Sequence, residues 1–151
     1  MDTEHYKENE KEIRSVLLQI RASLVDLFVA LARILFFWIP GGDVAKGKAL
    51  MACHPICIGL AIALFFLLPA NHPLRFFLLL LGICTVASQW LLGGCVVTRA
   101  EQALTGNKDT VVDPFLILAG VPVNRDTRLA ATLGSGTSIC LLMVWSFLTN
   151  A

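Results

Sequence analysis

Residues 49–97 read ALMACHPICIGLAIALFFLLPANHPLRFFLLLLGICTVASQWLLGGCVV. The apolar run is interrupted only at Pro69-Ala70-Asn71-His72-Pro73-Leu74-Arg75. Each half is long enough to cross a bilayer, since ~20 apolar residues at a 1.5 Å rise span ~30 Å. A backbone in lipid must satisfy its own hydrogen bonds, so both halves are helices and together form a hairpin. The chain therefore reads as an all-α, multi-pass integral membrane protein.

The composition agrees. The 151 residues are 56% hydrophobic and 15% charged, against ~45–50% and ~25% in soluble globular proteins. That length holds one domain. The net charge of +1 gives no footprint for nucleic acid, which is excluded as a partner. Met1 to Lys11 is polar and mixed in charge, with no short apolar region and cleavage site behind it, so no cleavable signal is expected. Asp2 and the C-terminal residues offer no lipidation motif. Five cysteines, Cys53, Cys57, Cys84, Cys95 and Cys140, lie in or beside apolar segments. They read as reduced thiols acting as small hydrophobes rather than as a disulfide framework.

Outward from the hairpin, residues 1–9 form a polar tail and 10–39 an amphipathic helix. Lys11, Ser15, Arg21, Asp26 and Arg33 share one face of it. Ile13, Leu17, Ile20, Leu24, Leu27, Leu31 and Ile34 share the other. Residues 22–39 nearly suffice to span. However, Asp26 and Arg33 each cost ~2.5–3.5 kcal/mol near a helix centre, against ~0.3–0.6 gained per large apolar residue. Charge distribution separates the two placements. With three crossings, at 49–69, 74–97 and 129–148, eleven of the twelve Lys and Arg fall on one side and only Arg75 on the other. With a fourth crossing at 22–39, the two sides nearly balance. The positive-inside rule favours three crossings with a cytoplasmic N-terminus.

The second crossing is expected to continue as one helix from Leu74 to Thr105, ~48 Å long, capped by Gly106. Residues 98–128 then form a cytoplasmic segment. Within it, Asp113-Pro114 starts a short apolar helix that ends at Gly120. Asn124 or Asp126 caps the last crossing.

Few features carry chemistry. Cys53-His54-Pro55-Ile56-Cys57 has ligand types but no second ligand pair, and on a helix Cys53 and Cys57 share a face while His54 points away, ~100° from Cys53. Cys53, Cys57 and Ala61 instead form a small-residue stripe for helix packing. Ala130, Gly134 and Ser138 form another on the last helix, for packing onto the hairpin or docking to another subunit. Thr85, Ser88 and Gln89 are expected to bond across helices. A haem pair is disfavoured because His72 lies in the opposite turn. No cofactor, metal or catalytic residue is assigned.

Gly94-Cys95-Val96-Val97-Thr98-Arg99-Ala100-Glu101 resembles a G-C-x-x-T-x-x-E pattern that follows a membrane helix in small bacterial membrane proteins of uncharacterised function. The resemblance implies three or four helices and no known activity. From the residues themselves, Thr98 and Glu101 have capping-box spacing, so either a fresh helix starts there or the pair forms a polar helix face. The expected function is non-enzymatic: an accessory or structural subunit of a larger membrane assembly, contacting lipid and other subunits or itself. A homo-oligomeric pore or small transporter is the alternative.

Overall fold

The computed structural model describes residues 3–149, with side chains from Glu8 onward. Its six helices are α1 (Thr3–Leu35), α2 (Gly42–Leu67), α3 (Pro73–Leu92), α4 (Val96–Thr105), α5 (Asp113–Leu118) and α6 (Arg125–Thr149). No strand occurs among the described residues. Four helices are long and apolar enough to cross a membrane: α2, α3, α6 and the Glu8–Leu35 part of α1. The protein is an all-α, multi-pass membrane protein.

Several boundaries differ from the sequence reading. Helix α1 already begins within the expected polar tail, at Thr3, and ends at Leu35, before Pro40-Gly41-Gly42. Helix α2 begins at Gly42 rather than at residue 49, with Asp43 in its first turn, where a carboxylate complements the helix dipole. It runs through Pro55. The single helix expected from Leu74 to Thr105 does not exist. Gly93 (φ 65°) and Gly94 (φ 123°) take positive φ, and their N–H groups close α3 on the Gln89 carbonyl. Left-handed geometry is cheap only for glycine. A new helix then starts at Val96 with Cys95 as its N-cap, so Thr98 lies inside α4 and no capping box forms. Gly106, at φ 69°, ends α4 as expected.

The break shifts the chain sideways onto the first half of α2. Gly47 makes that contact possible. A Cβ there would stand 2.8 Å from the Leu104 Cβ and 2.6 Å from the Thr105 Cγ2. Helix α1 lies across α4, burying Ala32, Ala100 and Leu104. Arg21 donates to the Leu92 carbonyl at 3.3 Å. Arg33 and Asp43 form a two-pronged pair at 3.2 and 2.6 Å.

The opposite end of the bundle holds the core. Phe65, Leu78, Leu79 and Met143 are buried together. Arg75 is 5% exposed there. Its guanidinium stands 4.8 Å over the Phe65 ring and donates to the Ser146 hydroxyl at 2.8 Å and carbonyl at 3.2 Å. Helices α2, α3 and α6 are thereby locked at this end, and His72 caps α3 through its ring nitrogen.

Helix α5 is fixed by Asp113. This residue is the first of the helix rather than its N-cap, which is Val112. Its carboxylate accepts from the Thr110 N–H and hydroxyl and from two Arg128 nitrogens, at 2.7–2.9 Å. Burial pushes the Asp113 carboxyl up, but Arg128 and Thr110 outweigh it and hold the group below the ordinary aspartate value. Asn124 caps α6 by accepting from the N–H groups of Asp126 and Thr127.

The two small-residue stripes part company. Ala61 packs against the core cluster, whereas Cys53 is half-buried and Cys57 exposed. Ala130, Gly134 and Ser138 are all exposed. A Cβ at Gly134 would meet nothing within 4 Å, while one at Gly136 would meet Gln89 Oε1 at 3.3 Å and Val86 at 3.7 Å. On α6 the close approach to α3 therefore falls at Gly136, and the Gly134 stripe faces outward.

Candidate functional site

With α2, α3 and α6 clamped near Arg75 and separated near α4, a cavity of about 830 Å³ opens between them. Cavities of this size accommodate organic ligands. Its deep part is hydrocarbon: Ile58, Ala61 and Ile62 from α2, Leu78 and Val86 from α3, Ile139 and Met143 from α6. The core cluster closes it below. Gln89 lines the cavity halfway up. It is 9% exposed, and its Oε1 has no hydrogen-bond partner. Thr85 and Ser88, which the sequence suggested would bond across helices, bond back to the Leu81 and Thr85 carbonyls of their own helix. The cross-helix bond of this region runs from Trp90 Nε1 to Thr137 Oγ1, at 3.2 Å.

The head of the cavity is polar and cationic. Arg99, Gln102, Lys108, Arg125 and Arg128 line it. Arg128 is occupied by Asp113. Among the described residues no carboxylate pairs with Arg99 or Arg125, or with Arg21 beside them. Burial lowers the Arg99 pKa from its ordinary value, and the charges of Arg21 and Arg125 lower it further. Arg99 also donates to the Gly93 carbonyl at 3.1 Å, which holds its guanidinium against the helix break. The result is a convergent set of cations without counter-charge, a natural receptor for an anion.

Cys95, His54 and Glu101 meet at the same level. The His54 Nε2 stands 3.7 Å from the Cys95 Sγ, and its Nδ1 stands 2.8 Å from the Glu101 Oε1. Glu101 is 3% exposed and sits behind the imidazole, while Cys95 and His54 line the cavity. A carboxylate accepts only, so the Nδ1 proton belongs to that bond and Nε2 faces the sulfur. Burial pushes the Cys95 thiol up. The His54 ring and the hydrogen bonds from the Thr98 N–H and hydroxyl together outweigh burial and bring the thiol below its ordinary value.

The break at Gly93-Gly94 positions the set. It puts Cys95 at the start of α4 and Glu101 nearly two turns on, so both reach the same flank of α2. In an uninterrupted helix this chain would continue past α2 without the sideways shift. The sequence reading did not join His54 to Cys95 and Glu101. The one signal for it was the Cys95-to-Glu101 stretch itself, where a thiol, a hydroxyl and a carboxylate follow a Gly-Gly break. Cys53 and Cys57, the more conspicuous pair, do not enter the site's hydrogen bonding. Among the described residues no group of three His, Cys, Asp or Glu is disposed to hold a metal ion.

No protein family, curated protein or solved structure matches the chain.

Proposed function

We propose that the protein binds an anionic amphiphile, with its apolar tail between α2, α3 and α6 and its charged head at Arg99 and Arg125. One observation carries this reading: a single cavity passes from hydrocarbon walls to unneutralised guanidinium groups. Apolar walls alone would suit any lipid tail. The cations, which like-charge repulsion would otherwise splay into solvent, gain from a phosphate or carboxylate between them. Under the positive-inside rule the head end lies at the cytoplasmic surface.

Native mass spectrometry of the detergent-extracted chain tests the reading. Added phosphatidylglycerol should be retained in preference to phosphatidylcholine, and Arg99→Gln with Arg125→Gln should abolish the preference. Equal retention of both lipids would overturn it.

A second reading, that of an accessory subunit, is supported by the outward stripe of Ala130, Gly134 and Ser138. Small residues there let another helix approach closely. Co-purification from the native membrane with a stoichiometric partner, lost in Gly134→Leu, is the expected result under that reading.

A further inference from the structure

We propose that Cys95 is a nucleophile that takes the acyl group of an anionic acyl ester, with His54 as its base and Glu101 orienting His54. The proposal rests on the binding reading above, which places such an ester in the cavity.

Three observations support it together. First, the three side chains are arranged in the order nucleophile, base, orienter, at 3.7 and 2.8 Å. Cysteine activated by an oriented imidazole is a recurring solution for acyl transfer. Second, nucleophile and base face the cavity and the carboxylate is buried behind them. A purely structural pairing of α2 with α4 would need only the His54–Glu101 contact, with no requirement for the thiol to face an open volume. Third, the depth is right. The Arg99 guanidinium folds back onto the Gly93 carbonyl, two residues before Cys95, so a head group held by Arg99 and Arg125 stands at the level of the sulfur, with the apolar part of the cavity and Gln89 beside it. The unpartnered Gln89 Oε1 marks a polar need in the wall that a bound molecule or water would meet.

The chemistry closes. The thiol proton passes to His54 Nε2. The sulfur attacks the ester carbonyl, a C–S bond forms, and the carbonyl oxygen becomes an oxyanion. The helical ladder of α4 begins with the Arg99 N–H on the Cys95 carbonyl at 3.3 Å. The Thr98 N–H and hydroxyl are directed at the Cys95 sulfur; the Val96 and Val97 N–H groups have no helical acceptor, which leaves these two as donors for the charge that develops. Collapse breaks the ester C–O bond, and the leaving alcohol oxygen takes the proton from His54. Water then gives a proton to His54 and attacks the thioester. The C–S bond breaks, the sulfur recovers its proton from His54, and the acid departs as carboxylate with its remaining proton released to solvent.

The test uses the full chain in mild detergent, incubated in parallel with phosphatidylglycerol and with p-nitrophenyl palmitate, and quenched in acid. Intact-mass analysis should find one acyl group on Cys95, released by neutral hydroxylamine, together with free fatty acid in solution. Cys95→Ala should carry none. Cys84→Ala, whose thiol is exposed away from the cavity, should behave as wild type. His54→Asn should slow acylation by about 10²–10⁴-fold, the usual range for a general base, while retaining phosphatidylglycerol. Failure of wild type to acylate with either probe, or acylation at Cys53 or Cys57 instead, would overturn the proposal. If phosphatidylglycerol is still retained in that case, the binding reading survives. If it is not retained, that reading falls separately.

Discussion

Glu101 and Cys95 hold the two nitrogens of one imidazole, that of His54, from opposite sides: Oε1 at 2.8 Å on Nδ1 and Sγ at 3.7 Å on Nε2. Both come from α4 and the ring comes from α2, so the contact sets the chemistry of the thiol and the seating of α4 at once. Replacing one end should alter the other. Glu101→Gln can donate to Nδ1, which moves the ring proton to Nε2 and turns it against the thiol. Iodoacetamide labelling of Cys95 at neutral pH should slow at least about tenfold. A rate equal to wild type would show that the ring is not oriented by Glu101.

The pH profile of the same labelling has a defined sign. His54 and Thr98 together bring the thiol below its ordinary value against the effect of burial. Wild-type reactivity should therefore rise at a pH below the ordinary thiol value of about 8.5. In His54→Asn burial and the Thr98 hydrogen bonds remain and the ring is gone, so the rise should move to higher pH than in wild type. Identical profiles would mean that the ring does not influence the sulfur.

The glycine most sensitive to substitution should be Gly47. Its added Cβ would collide with Leu104 and Thr105, one of them a backbone-proximal Cβ that cannot swing aside. Gly47→Ala should lose about 1–3 kcal/mol, the usual cost of overpacking, and loosen α4. Gly134→Ala meets nothing within 4 Å, so in the isolated chain it should be neutral or gain up to about 1 kcal/mol from helix propensity. Thermal unfolding of both variants in one detergent is the check.

Asp113 should make α5 acid-labile. Its carboxyl is held below the ordinary value, so the carboxylate is favoured in the folded state. The stability it contributes is present above the unfolded value of about 3.9 and is lost as the pH falls through the folded one. Asp113→Asn should cost about 1–3 kcal/mol at neutral pH and flatten that acid limb. Proteolysis between Asn107 and Val123, followed against pH, reports it.

The placement of α1 is open to direct measurement. Helix α1 packs on α4 and is tied at Arg21 and Arg33 to the head end of the hairpin, which supports an interfacial course. Cysteines introduced at Glu8 and Lys46 in a background free of other cysteines should then label from the same side, the cytoplasmic one. Labelling from opposite sides would make α1 a fourth crossing.

What the sequence revealed, and what it withheld, follows the range of the forces involved. The hairpin, the proline and glycine stops and the Asn124 cap are local, and each is read from a few adjacent residues. Helix α4 was misread because Val96 to Leu104 are good helix formers, and propensity does not register that two adjacent glycines let a chain step sideways. The triad was missed for a related reason. Its partners are 41 and 47 residues apart, and only the break after Leu92 brings them together. The Gly134 stripe was legible as a stripe, but periodicity cannot say which face of a helix meets its own chain. Gly136, two positions on, meets α3 instead.

The Arg75 clamp has a consequence for traffic. Because Phe65, Ser146 and the Arg75 guanidinium close one end, the cavity within a single chain does not run through to the far end of the bundle. Under the proposed binding reading, a molecule taken up at the head end leaves by the head end, and a released product departs by the route the next arrival needs. On that reading a single chain offers no passage from one leaflet to the other.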